Sequence, residues 1–321
     1  MPSLKEIKNR IQSVQSTRKI TSAMKMVASS KLHHAQVMIG NMLPYENMLE
    51  HILKTFLASE ADAQTVFSQE RPVKDISIVV YSSNSSLCGG FNHNIIRMMT
   101  EVAEEYKSLG KEHITIYPIG RKVAEKAAKL GFKTAGDFTE LADKPNVQDC
   151  INLAKELGQK FVDGETDQVE LLYHHFKSAG SQILTRKTFL PIDIDSELNE
   201  DKERDLTSNI ATAKAQEYLR KKQQSQQREQ ETVKPLADNF IVEPDMESVL
   251  STLIPKLLHL MLYTALLDSN ASEHAARMVA MQTATDNADE LLRELNLQFN
   301  KSRQQAITNE LLDIVGGSVN N

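Results

Sequence analysis

The sequence is poor in residues that interrupt helices or favour strands. Its 321 residues include no Trp, 10 Phe, 7 Tyr, 12 Gly and 9 Pro. Because glycine and proline break helices and aromatic residues favour strands, this composition predicts long helices rather than a β-rich fold. The two cysteines, Cys88 and Cys150, make neither a disulfide framework nor a zinc site.

Charge and hydropathy exclude three further classes of protein. The chain has 37 basic and 43 acidic residues and a net charge of −6, which argues against a general nucleic-acid binder. No apolar run approaches the roughly 18–20 residues of a membrane span. The opening MPSLKEIKNR has no apolar region of a secretory signal. We therefore expect a soluble, intracellular chain.

Both ends of the chain predict long helices. Residues 1–57 carry a one-sided apolar stripe at steps of three and four, and Pro44 predicts a kink or break. Residues 244–317 keep the same rhythm, with only Pro255 near the start and no glycine before Gly316. A helix of seventy-odd residues, about 100 Å long, needs a partner of similar length. We predict that the two ends form an antiparallel coiled coil.

The middle of the chain, residues 73–192, changes period. Short β-branched runs alternate with helical stretches, which predicts a small Rossmann-like α/β domain with a largely parallel sheet. The fold class is therefore α/β: a coiled coil of the terminal helices with this domain inserted. The predicted strands are 76–81, 114–117, 169–173 and 183–185, the last antiparallel to its predecessor; the predicted helices are 95–109, 121–130 and 147–162.

Residues 195–235 are rich in charged residues and glutamine. This composition is typical of a charged insertion, either a solvated helix or a flexible excursion. A regulatory arm that docks on a partner is the alternative.

No motif predicts an active site. The turn at 82–92 contains Gly89-Gly90, but the chain has neither a dinucleotide-binding nor a Walker A motif, so a packing turn is favoured over nucleotide binding. Cys88 has only His93 nearby and is predicted to be a buried thiol. The adjacent histidines at 33–34 and 174–175 point in different directions and are poor chelates. We predict no catalytic, cofactor-binding or metal-binding residue.

Two features of the helices leave alternatives open. A methionine-rich stripe is either coiled-coil core or a low-friction surface toward other subunits. Polar clusters near both chain ends are either solvated faces or hydrogen-bonding contacts to a partner. The stripe comprises Met24, Met26, Met38, Met42, Met48, Met261, Met278 and Met281; the clusters comprise Arg18, Lys19 and Lys25, then Arg303, Gln304, Gln305, Thr308 and Glu310.

Two separated segments resemble the gamma subunit of bacterial F-type ATP synthases. The first is SLKEIKNRI at 3–11 with TRKITSAMKMVA at 17–28. The second is SEHAARMVAM at 272–281 with ATDNA at 284–288, extended by NKSRQ at 300–304 and ITNEL at 307–311. The likeness covers both terminal helices and, more loosely, the α/β domain.

This resemblance implies a rotor shaft that catalyses nothing itself and binds no cofactor. Its partners would be the α and β subunits of the F1 hexamer, the epsilon subunit and the c ring, which proton or sodium flow turns. It would lie peripherally on the cytoplasmic face of a bacterial inner membrane, since no targeting extension precedes Met1. The implied contacts with catalytic subunits are Met24, Lys25, Arg303, Gln304, Thr308 and Glu310, and the implied bearing tip includes Ile314, Val315 and Val319.

The sequence departs from the family in two places. Where relatives carry Ser-Asp-Arg-Gly, this chain has Ser-Asn-Ser-Ser at 83–86, so both charges are missing. The insertion at 195–235 contains no cysteine, which excludes thiol control of it. The rival interpretation is a nucleotide-using enzyme with a coiled-coil arm, and a third is a self-associating scaffold.

Overall fold

A computed structural model describes residues 3–59, 66–192 and 246–318. The predicted insertion at 195–235 and Val319 lie outside these residues. The helices are α1 (Leu4–Ser59), α2 (Phe91–Glu105), α3 (Arg121–Leu130), α4 (Thr139–Asp143), α5 (Val147–Val162) and α6 (Met246–Ser318); the strands are β1 (Ile76–Tyr81), β2 (Ile114–Ile119), β3 (Lys133–Thr134), β4 (Gln168–Ser178) and β5 (Ser181–Leu190).

Helix α1 begins at a reciprocal hydrogen-bonded cap. The Glu6 backbone N–H donates to Ser3 Oγ at 3.3 Å, and the Ser3 N–H donates to Glu6 Oε2 at 2.8 Å. This pairing satisfies two donors that a helix start leaves open, and it explains why the helix starts so early in the chain. The helix continues through Pro44 to Ser59, so the break that the proline predicts does not occur.

Helix α6 runs without interruption for 73 residues and includes Pro255. The hydropathy of α6 corrects the expectation that no segment of the chain is long and apolar enough to cross a membrane. Within Ser248–Leu312 the structure has one helical window whose length and composition suffice to cross a membrane, with a mean hydropathy of 1.5. Of that window, 56% is buried inside the protein. The core helix of a globular protein can meet the same criterion of length and hydropathy. The sequence analysis missed this window because it considered only unbroken apolar runs.

The chain divides into two compact units. The first comprises Met1–Ala28 with Arg277–Asn321, and its described part consists of the start of α1 and the end of α6. Arg18 pairs with Asp289 at 3.0 Å, and the hydroxyls of Thr21 and Thr285 are 2.8 Å apart. The residue number of the partner on α6 falls as the residue number on α1 rises, so the two helices run antiparallel. The predicted antiparallel coiled coil is confirmed.

The second unit, Ser29–Ala276, contains a five-stranded sheet in the order β3-β2-β1-β4-β5. β1 pairs in parallel with β2 and β4, and β2 pairs in parallel with β3. β5 is antiparallel to β4, as the short turn at 178–180 predicts. The sequence missed β3 and α4. β3 has only two residues, both exposed, so it carries no apolar signal.

The core of this sheet is formed by the side chains that face α2 and α3. It is closed by β-branched residues of the central strands and by the inner stripes of the two helices. Its buried members are Ile76, Ile78, Val80, Ile95, Met99, Val102, Ala103, Ile114, Ile116, Val123, Ala127 and Leu172.

A buried ion pair joins the β4–β5 hairpin to α2. Arg186 donates two hydrogen bonds to the Glu170 carboxylate, each at 2.8 Å, and one to Glu105 at 2.7 Å. Tyr106 donates to the same Glu170 carboxylate at 2.9 Å. Burial and the Glu170 carboxylate raise the pKa of Tyr106 to about 12. Both oxygens of the buried carboxylate thus accept hydrogen bonds, which burial of a charge requires.

Candidate functional site

The turn after β1 is where a parallel α/β sheet can bind phosphate, but here its own side chains fill it. Asn92 Oδ1 accepts from the Ser83 N–H at 3.1 Å, and Asn92 Nδ2 donates to Ser83 Oγ at 2.8 Å and to Cys88 Sγ at 3.1 Å. These bonds tie the turn to the first turn of α2. The structure therefore agrees with a packing turn.

The same turn also closes the N-terminus of α3. The N–H of Arg121 donates to Asn84 Oδ1 at 2.9 Å, and the N–H of Val123 donates to Ser82 Oγ at 3.1 Å. Asn84 Nδ2 in turn donates to the Thr139 carbonyl at 2.7 Å. Amide groups that could hold an anion at a helix start are thus used within the protein.

Helix α6 occupies the crevice at the carboxyl ends of β1 and β4, where strand order reverses. The Tyr81 hydroxyl donates to the Leu262 carbonyl at 3.0 Å, and Ser272 Oγ donates to the His174 carbonyl at 3.1 Å. Burial holds the pKa of Tyr81 well above its usual value. Ligands of open α/β sheets bind at such a reversal. In this chain a helix lies there instead.

A second contact of α6 involves a buried carboxylate. Asp268 is fully buried, and its Oδ2 lies 2.7 Å from Nδ1 of His175. The neighbouring His174 faces elsewhere and stacks on Phe91 with ring centroids 4.3 Å apart. Burial lowers the pKa of His174 to about 4, so this ring is neutral at physiological pH. The two adjacent histidines serve packing and pairing, and they do not converge on one ligand.

A small pocket lies at the ends of β1 and β2. It measures about 190 Å³ including the solvent at its mouth. Pockets that bind drug-sized ligands are typically roughly 300–1,000 Å³, so this one is too small for a nucleotide. Its lining residues are Tyr81, Ser82, Ile119, Ala142, Leu266, Ser269, Asn270 and Glu273.

Neither thiol has the surroundings of a nucleophile. Cys88 is buried, as predicted, and His93 is exposed on the surface of α2. Burial raises the pKa of Cys150 to about 12, which keeps that thiol protonated near neutral pH. Within residues 3–59, 66–192 and 246–318, no three His, Cys, Asp or Glu side chains are grouped as metal ligands would be.

The structure places the predicted contact residues on the two helices of the first unit. Met24 and Lys25 are half-buried on α1, whereas the four residues predicted on α6 are exposed: Arg303, Gln304, Thr308 and Glu310. Thr308 Oγ1 donates to the backbone carbonyl of Gln304 at 2.9 Å, one turn earlier on the same helix. Ile314 and Val315 lie within α6, but their side chains are outside the described part of the structure.

Large exposed apolar side chains form a surface of the first unit, of which the sequence analysis singled out only Met26. Met26 on α1 is 68% exposed and Leu297 on α6 is 71% exposed. Ile20, Val27, Val279, Ile307, Leu311 and Leu312 are further members. A two-helix coiled coil can cover only one stripe per helix. Apolar residues on either side of the predicted stripe were therefore the sequence signal that indicates an exposed apolar surface. Such a surface is typical of a binding interface.

The methionines divide between the two alternatives that the sequence left open. Met281 is buried in the helix pair of the first unit, as coiled-coil core would be, and Met261 is buried in the second unit. Met26 and Met48 are more than half exposed, and their contact with other subunits stays a prediction.

A family model and curated relatives match almost the whole chain. A family model described as ATP synthase matches residues 3–319. The ATP synthase gamma chain of Phocaeicola vulgatus is 53% identical over 319 residues, covering 99% of this chain and 100% of the relative. That of Bacteroides thetaiotaomicron is 50% identical with the same coverage.

Solved structures share the fold. A chain of the Euglena gracilis mitochondrial ATP synthase, in a structure of OSCP, F1 and c-ring, matches with a TM-score of 0.58 and 17% identity, covering 98% of this chain and 93% of that chain. A chain from the central stalk and c-ring of the Tetrahymena thermophila mitochondrial enzyme gives 0.55 and 24% identity, covering 83% and 99%.

Proposed function

This chain belongs to the ATP synthase gamma-chain family, and on that premise we propose that it is the central rotor shaft of the complex. The shaft transmits torque between an ion-driven c ring and the catalytic α and β subunits. The observation that carries the proposal is the antiparallel helix pair with apolar side chains exposed on both helices. That surface fits a shaft enclosed by other subunits.

The chain is a subunit of an ATP-synthesising complex, and its own role is non-catalytic in our proposal. Three observations support this. The turn after β1 is filled by Asn92, the start of α3 is closed by Asn84, and the crevice at the strand reversal is occupied by α6. ATP chemistry then takes place on a partner, the β subunit.

The partners follow from the shaft role. We expect α and β subunits around the coiled coil, and the epsilon subunit and the c ring beside the second unit. The chain is a peripheral part of a membrane-bound complex. The finer location that we propose is the cytoplasmic face of a bacterial inner membrane.

Native mass spectrometry of the complex, purified through a tag on this chain, tests the proposal. One copy of the chain with three α and three β subunits is the expected stoichiometry, because a single shaft must serve all catalytic sites. A homodimer of this chain, or a free monomer that binds ATP, would instead support the scaffold or the enzyme.

The contact residues are proposed from the resemblance and supported by their exposure. We expect Arg303→Ala and Glu310→Ala to reduce ATP hydrolysis by the complex without changing the unfolding of the isolated chain. Lys301→Ala is a matched control, because Lys301 is also exposed on the same stretch of α6. Equal loss of hydrolysis in the control would show that any surface change on this helix has the same effect.

The insertion at 195–235 is proposed as a brake on ATP hydrolysis that touches β or epsilon. Its charged composition supports the proposal, and it lies outside the described residues. Deletion of 197–234 is expected to raise hydrolysis relative to synthesis. Unchanged rates in both directions would remove this role.

A further inference from the structure

The surface of α3 carries a larger excess of positive charge than the surfaces of α2 and α5, which also cover the sheet. Over ten residues it carries Arg121, Lys122, Lys126 and Lys129 against one acid, Glu125. This local excess of three positive charges occurs in a chain whose net charge is −6.

Helices α2 and α5 show the usual pattern of neutralised charge. On α2, Arg97 pairs with Glu101 at 3.6 Å, and on α5, Lys160 pairs with Glu156 at 2.8 Å. Spacing of i and i+4 places such partners side by side on a helix. Because the same sheet carries both kinds of helix, the charge of α3 is not a general property of this fold.

The three lysines of α3 lie on one side of the helix. Val123 and Ala127 face the core and are fully buried. At 3.6 residues per turn, Lys122, Lys126 and Lys129 project within an arc of about 60° beside the buried stripe; Lys126 and Lys129 are exposed and Lys122 is half-buried. We call these three residues the α3 lysine face.

Two members of this face form no ion pair within the described part of the chain. Lys122 Nζ lies 3.6 Å from Glu125. Lys126 and Lys129 are exposed, and no acidic group in the described ranges of the chain forms an ion pair with them. The face is therefore a concentrated positive charge open to an anionic partner.

The chemistry of the face favours a lipid surface over a protein. Protein interfaces are rich in arginine and aromatic residues and poor in lysine. The large exposed apolar side chains of the described structure include none on α3. Lysine is a compact charge on a flexible stem, which suits diffuse attraction to anionic headgroups and not paired recognition of one carboxylate.

We propose that the α3 lysine face binds the anionic headgroups of a phospholipid bilayer. This goes beyond the shaft role, because it gives the chain an attraction to the membrane that needs no other subunit. Attraction of this kind acts within about 10 Å at moderate salt. Headgroups diffuse laterally, so such binding leaves the chain free to move along the surface.

Sedimentation of the full-length chain with vesicles tests the proposal. The vesicles contain phosphatidylcholine alone, or phosphatidylcholine and phosphatidylglycerol in equal parts. The test variant is Lys122→Gln/Lys126→Gln/Lys129→Gln. The control is Lys5→Gln/Lys8→Gln/Lys19→Gln, which removes the same charge from exposed positions of α1. Far-ultraviolet circular dichroism shows whether each variant is folded.

The wild-type chain and the control are expected to bind the anionic vesicles, and to lose binding as salt rises. Each lysine near an anionic surface contributes about fivefold in affinity, so the test variant should bind on the order of a hundredfold more weakly. Equal binding to both kinds of vesicle, or equal binding by the two variants, would overturn the proposal. If the complex of the test variant loses an acidic subunit while vesicle binding is unchanged, the α3 lysine face binds a protein and not a lipid.

Discussion

Helix α6 has two different environments along one continuous backbone. In 257–275 nearly every side chain is buried, including the polar residues Asp268 and Ser272. Beyond Arg277 burial is confined to a stripe, and Leu297 is 71% exposed. The buried members of that stripe are Met281, Ala288, Leu292 and Leu295.

The buried stretch of α6 stabilises the fold of the chain itself, whereas the exposed stretch is available to bind other subunits. The buried stretch belongs to a core that also contains the sheet, so its side chains contribute to folding. The exposed stretch keeps apolar surface in water, which costs free energy until another chain covers it. Substitutions in the first should therefore change stability, and substitutions in the second should change assembly.

The largest expected effect is the loss of a buried charge in the first stretch. Asp268→Ala removes the fully buried carboxylate beside His175 and leaves the imidazole without that partner. We expect the free energy of unfolding to fall by about 3–5 kcal/mol. Glu294→Ala, on an exposed position of the same helix, should change it by less than about 0.5 kcal/mol. Urea unfolding followed by circular dichroism measures both, and similar losses would contradict the comparison.

A matched pair of leucines tests the apolar side of the same difference. Leu262 is fully buried and Leu297 is exposed. Leu262→Ala should destabilise the chain by about 2–5 kcal/mol, because it leaves a cavity. Leu297→Ala should leave unfolding within about 0.5 kcal/mol and weaken assembly with the α and β subunits. An unchanged yield of assembled complex with Leu297→Ala would show that this surface is not an interface.

Buried His174 predicts how stability depends on pH. Its folded pKa of about 4 lies below the unfolded value near 6.5, so the unfolded chain binds the proton first. Its contribution is present above pH 6.5 and is lost as pH falls toward 4, by on the order of 2–3 kcal/mol. His174→Phe should flatten this part of the curve of unfolding free energy against pH. His34→Phe, at an exposed position on α1, should leave the curve unchanged.

The smallest effect concerns the two polar pairs between the helices of the first unit. Arg18 and Asp289 are each nearly half exposed, so their pair is worth about 0–1 kcal/mol. Thr21 is mostly buried, so Thr21→Val with Thr285→Val should cost about 1 kcal/mol. A double-mutant cycle for each pair measures the coupling. A larger coupling for the exposed ion pair than for the two threonines would reverse this order.

Much of the fold is predictable from local signals. The apolar stripes predict both long helices to within two or three residues of their ends, and the β-branched runs predict the four longer strands. The short strand at Lys133 and the helix at Thr139 were missed, because each is short and is held by neighbouring elements. The proline predicts a kink or break at Pro44, and the helix is not broken there.

The candidate site is less predictable, because it depends on which residues the fold leaves uncovered. The sequence shows that the turn after β1 lacks a phosphate motif. It does not show that Asn84 and Asn92 fill this turn. Asn84 bonds to Thr139, 55 residues away, and the bond from Ser83 to Asn92 depends on how the turn folds back on the start of α2. In the same way, Leu297 and Leu295 are alike in sequence, and only the helix pairing decides that one is exposed and the other buried.

Rotation of this chain inside the assembled complex is the most direct test of the shaft. Lys155→Cys provides an attachment point for a bead, because Lys155 is exposed on α5 while Cys88 and Cys150 are buried and react slowly. With the catalytic subunits fixed to a surface, added ATP should turn the bead continuously in one direction. ATP hydrolysis at the normal rate with a stationary bead would contradict the account.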